Sequence, residues 1–158
     1  MNINDNDFLT KLQILQDILD KKENVLGFIL NICENQQSLY SSEDSDELKL
    51  FLKEIAKEKQ KLIDDILQYD IVFDNMFKNI KTNFEDNAKK YKKEISKMQS
   101  SIDQVMKLDI AIRAKEDILK GILNNRRNGT KKNIKITNKA HILNQYKENS
   151  KTRYKGDK

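Results

Sequence analysis

FLTKLQILQDILDKKENVLGFILNICENQQSLY, residues 8–40, carries one helical pattern from end to end. Leu12, Leu19, Leu26, Cys33 and Tyr40 recur every seven residues, and Ile18, Val25, Ile32 and Leu39 form the row beside them. Phe8, Leu15 and Ile29 lie on the adjoining row. The apolar stripe is therefore wide enough for a bundle helix rather than a bare two-stranded seam. Gly27 costs about 1 kcal/mol in mid-helix without ending it. The pattern stops at Ser41-Ser42-Glu43-Asp44-Ser45, a polar stretch that suits a short turn between helices.

Working outward, a second segment starts with Asp44 and Glu47 at capping-box spacing, Ser45 being the alternative N-cap. Leu48, Leu52, Ile55, Leu62, Ile66, Tyr69, Phe73, Met76 and Ile80 then alternate at three and four. Around residues 82–87 the pattern loses definition, and Thr82 with Glu85 offers another capping box, marking a turn or a kink. A third stripe follows in Tyr91, Ile95, Met98, Ile102, Val105, Ile112, Leu119 and Leu123, interrupted by Asp109 and Glu116. The expectation is an all-α fold: helices over 6–40, 46–81 and 84–123, forming an elongated antiparallel three-helix bundle or coiled coil over residues 1–123. Residues 124–158 are rich in Lys, Asn, Thr and Ser, a composition that predicts a disordered basic tail, with a short helix near 138–147 on a partner.

The 158 residues contain no Pro, no Trp, four Gly, one Cys and one His. One Cys forms no intrachain disulfide, and one His with one Cys builds no zinc cluster. The four glycines lie too far apart for a phosphate-cradling loop, and a carboxylate di-metal bundle would need inward-facing Glu-x-x-His motifs. Cys33 falls on the apolar row, where packing outweighs nucleophilic chemistry, and His141 has no carboxylate or ligand spacing around it. Glu54, Glu58, Asp64, Asp65, Asp70 and Asp74 read as a solvated face. No cofactor, metal or enzymatic activity is expected.

The net charge of +5 hides a division. Met1–Lys120 has 19 Lys/Arg against 23 Asp/Glu, a net of −4, and Gly121–Lys158 has 11 against 2, a net of +9. Arg126, Arg127, Lys131, Lys132, Lys135 and Lys139 have the charge to meet phosphates. Aromatic interleaving is thin, however, so nucleic-acid binding is not the favoured reading. The first ten residues lack the layout of a secretory signal, and the longest apolar run, Val25–Leu30, is far short of a membrane span. A cytoplasmic protein without membrane insertion is expected, as monomer or homodimer. Its working surface is expected on the third segment, where weak anchoring of the lower half would expose apolar side chains to a partner helix.

The stretch ENQQSLYSSEDSDELKLFLKEIAKEKQKLIDDILQYDIVFDNMF, with Glu-Lys-Gln-Lys-Leu-Ile-Asp at Glu58–Asp64, resembles bacterial flagellar export chaperones of the FlgN type, with FliT-type proteins close behind. Leu108-Asp109-Ile110-Ala111-Ile112-Arg113 is similar to the third-helix register of that family. The resemblance spans roughly Leu12–Leu123, and no catalytic residue belongs to it. It implies a cytosolic chaperone that binds the C-terminal helices of hook–filament junction proteins and delivers them to the export gate. The expected contact residues are Ile102, Val105, Ile112, Leu119 and Leu123, with Ile142, Leu143 and Tyr146 as a secondary contact. The basic tail has no counterpart in the resemblance. A coiled-coil structural or regulatory adaptor is the alternative, with a nucleic-acid-associated protein behind it.

Overall fold

The computed structural model describes residues 5–129, with side chains from Asp7 to Arg126. Within them lie three long helices and no strand: α1 (Asp5–Tyr40), α2 (Asp46–Ile80) and, after a short α3 (Phe84–Asn87), α4 (Lys92–Gly129). The first two match the expected bounds to within one residue. The start of α2 is settled by Ser45, whose Oγ accepts the Leu48 amide at 3.0 Å while its carbonyl accepts Lys49 N at 3.1 Å. Ser45 is thus the N-cap, and Asp44 is released for another contact described below.

The third helix needs correction at both ends. A 3₁₀ turn at Lys81–Asn83 follows α2, α3 adds a single turn, and α4 begins only at Lys92, eight residues later than expected. Neither short element has a side-chain cap, so the Thr82/Glu85 box does not form; instead Asn87 Nδ2 donates to Asn83 O at 2.8 Å, both residues being buried. At the other end α4 continues six residues past Leu123. The rest of the expected tail, with the short helix near 138–147, lies outside the described residues.

The helices contribute to two compact units, one built from the described residues up to Gly27 with Asp64–Leu108, the other from Phe28–Ile63 with the described residues from Asp109. In the first, Phe8, Leu12, Leu15, Leu19 and Leu26 of α1 are buried, as are Ile66 and Ile80 of α2 and Ile95, Met98 and Val105 of α4. An aromatic cluster occupies the region of the α2–α4 connection: Phe8 meets Phe84 edge-on and Tyr91 in a stack, both with centroids 5.5 Å apart, and Phe77 lies 5.6 Å from Phe84. Two polar links join elements here, Gln16 Nε2 to Ser101 Oγ at 2.8 Å and Lys22 Nζ to Asp70 Oδ1 at 2.6 Å. Asp70, expected on a solvated face, is therefore a nearly buried ion-pair partner.

In the second unit Ile29, Cys33 and Tyr40 of α1, Leu52 and Ile63 of α2, and Ile112, Leu119 and Leu123 of α4 form the apolar core. Burying each such aliphatic side chain contributes about 1.5–3 kcal/mol.

Candidate functional site

The second unit differs from an ordinary apolar core by a polar layer through its middle. Lys59, Gln36 and Glu116 are each buried to within 2% of complete. Lys59 Nζ donates to Gln36 Oε1 at 3.0 Å and stands 3.8 Å from Glu116 Oε1. The Cys33 thiol belongs to the same layer: burial pushes its pKa up, the Lys59 ammonium and its hydrogen bond oppose this, and the Glu116 carboxylate adds to it. A thiol held protonated in this way is a poor nucleophile. One position of α1, one of α2 and one of α4 are thus tied by a charge that cannot reach water, and the helices cannot slide past one another without breaking it.

Asp109, the other acidic interruption of the third stripe, is buried too, and Arg113 one turn on pairs with it at 2.5 Å. Further along α4, Lys115 Nζ donates to Gln37 Oε1 at 3.3 Å. Near the end of the described chain Arg126 reaches the α1–α2 turn, donating to Ser42 O at 3.4 Å and lying 3.5 Å from Asp44 Oδ1. The loosening of α4 that Asp109 and Glu116 suggested is therefore not what the structure contains. Each acid meets a cation, and Arg126 serves as a tether to the turn.

The expected contact residues fall accordingly. Val105, Ile112, Leu119 and Leu123 are 0–2% exposed, and Ile102 is half-buried. These side chains form the packed side of α4, and a partner reaches the four buried ones only if α4 leaves its neighbours. They do not line an open groove. Ile142, Leu143 and Tyr146 lie outside the described residues.

What α4 does offer is its opposite side. Ile110 is 62% exposed and Ile118 43%, and Ala114 and Gly121 are exposed with them. The spacing of four, four and three places all four on one outward row. The sequence pattern drew attention to the more regular inner stripe and passed over this one; the signal lay in Leu108–Arg113, where Ile110 and Ile112 cannot both face inward on a helix.

No family model, no curated protein and no solved structure matches the chain. Among the described residues no helix is long and apolar enough to cross a membrane, and no group of three or more His, Cys, Asp or Glu side chains is arranged to hold a metal ion.

Proposed function

We propose that this protein is a cytoplasmic flagellar export chaperone, which binds the C-terminal helices of hook–filament junction proteins and hands them to the export gate without catalysing a reaction. The observation that carries the reading is the outward apolar row of Ile110, Ala114, Ile118 and Gly121 on α4, which starts in Leu108–Arg113, the stretch similar to the third-helix register of FlgN-type chaperones. A long helix exposing such a row is suited to covering the apolar side of an amphipathic helix that would otherwise aggregate. In this reading the three long helices run antiparallel, α1 up, α2 down and α4 up, and the inner residues Val105, Ile112, Leu119 and Leu123 hold the surface in place.

Titration calorimetry with the C-terminal segment of a junction protein tests the proposal. Ile110→Asp and Ile118→Asp are expected to weaken binding at least about tenfold while leaving the helical circular dichroism unchanged. Ile112→Asp, which places a charge in the core, is expected to unfold the unit instead. Unchanged binding in the two surface variants would show that the row is not the contact surface. Absence of binding by any junction protein would refute the chaperone assignment itself.

A further inference from the structure

We infer that the α1–α2 pair of the second unit carries a separate docking surface for an amphipathic helix of another protein, one whose apolar row is edged with lysine or arginine. The inference does not depend on the export-chaperone reading. It starts from Gln36 and Lys59, whose 3.0 Å hydrogen bond joins α1 to α2. One turn to either side of Gln36 stand Ile32 and Leu39, and one turn to either side of Lys59 stand Ile55 and Leu62; all four remain half-exposed. Phe28, 60% exposed, extends the α1 row by a turn, and Phe51, 55% exposed, does the same on α2. Two aligned rows of apolar side chains, with an exposed phenylalanine on each, make a surface that one helix can cover by laying its own apolar row between them.

Charge selects the occupant. From Phe28 to Leu48 there is no basic residue, while Glu34, Glu43, Asp44, Asp46 and Glu47 are acidic. On α2, Glu47, Glu54 and Glu58 are all exposed, and their spacing of seven and four runs them along the outer border of Phe51, Ile55 and Leu62. Lys49, Lys53 and Lys57 follow one another every four residues and so occupy a different strip of α2. Lys61 stands one turn beyond Glu58, and Glu54 makes an exposed 3.5 Å pair with Lys57. Such a pair holds its carboxylate weakly and leaves it available to an incoming cation. The apolar surface is therefore fringed by carboxylates on the α2 side and by uncharged Asn35 and Ser38 beside the α1 row. A helix with basic edges gains from that field, and one with acidic edges is repelled.

The test uses the full chain and a labelled synthetic Leu/Ala/Lys peptide that folds as an amphipathic helix, with a Leu/Ala/Glu peptide of the same pattern beside it. The lysine peptide is expected to bind at least about tenfold more tightly, and the preference to shrink as salt rises. Glu54→Lys with Glu58→Lys is expected to abolish the preference, and Phe28→Ser with Phe51→Ser to weaken binding about tenfold or more. All four side chains are exposed, so thermal unfolding should stay near that of the parent chain. Equal affinity for the two peptides, or a preference that survives charge reversal, overturns the inference. Replacing Phe51 by a photoreactive benzoylphenylalanine identifies the occupant directly. Cross-links to the lysine peptide support the proposal, whereas cross-links to a second copy, or to residues 130–158 of the same chain, assign the surface to those and overturn it.

Discussion

Glu116 stands at 0% exposure against Lys59, and neither side chain has a route to water. Removing one partner leaves the other buried without its counter-charge, which typically costs about 3–5 kcal/mol, whereas replacing both by apolar residues of similar size is often neutral or stabilising. Glu116→Ala is therefore expected to destabilise strongly in urea unfolding, and Lys59→Met combined with Glu116→Leu to recover most or all of the loss. Cys33 gives a second readout of the same layer. Its buried, protonated thiol should resist a thiol reagent at mildly alkaline pH and react only as fast as the unit opens. Tyr40, 4% exposed, has its hydroxyl pushed up to about 12, by burial first and against the opposing Arg126 charge. The unfolded chain ionises near pH 10, so at higher pH it has lost a proton that the folded chain keeps. Stability contributed by Tyr40 is thus intact below pH 10 and falls through pH 12, by about 2–3 kcal/mol in all. Thermal unfolding followed across that range should lose this dependence in Tyr40→Phe.

At the level of elements, Ser45 and the two mid-helix glycines make simple tests. Ser45→Ala removes the acceptor of the Leu48 amide and should cost about 1 kcal/mol. A methyl group at Gly27 or Gly121 meets no heavy atom within 4 Å, so Gly27→Ala and Gly121→Ala should each stabilise by about 0.5–1 kcal/mol in chemical denaturation. Helices α1 and α2 were legible because their apolar residues keep helical spacing to the last turn and then yield to polar ones. The start of α4 was not, since Phe84 and Tyr91 are spaced as a helix stripe would be; in the fold both pack against Phe8, Phe84 from α3 and Tyr91 from the turn just before α4. The polar layer was illegible for a different reason. Glu116 showed as an interruption of the third stripe, but Gln36 and Lys59 are ordinary surface residues for a helix, and only the meeting of three helices at one level brings them inside with it. Packing within the second unit likewise turned Ile112, Leu119 and Leu123 inward and left Ile110 and Ile118 outside.

For the molecule as a whole, the charge division has an experimental signature. A chain ending at Gly129 carries 21 Lys/Arg against 23 Asp/Glu, a net of −2 in place of +5. At pH 7 the full chain should be retained by a cation exchanger and the shortened one by an anion exchanger. If the basic residues beyond 129 serve nucleic acid, affinity for a polyanion should vanish with them and fall steeply with salt in the full chain. Arg126 does not belong in that account, because its contacts with Ser42 and Asp44 occupy it within the fold.

The two compact units have a consequence for how such a chain can change over generations. Each unit draws one stretch from α1 and α2 together with another from α4, or from α2 and α4 together with another from α1, so neither is a continuous piece of sequence. Neither can be duplicated, shuffled into another gene or excised by a single deletion. A one-residue insertion within α1 would rotate everything after it by about 100° and move Gln36 away from Lys59. Length variation should therefore collect in the 41–45 turn and the 81–91 connection, and any growth of the helices should come as whole turns added to all three at once.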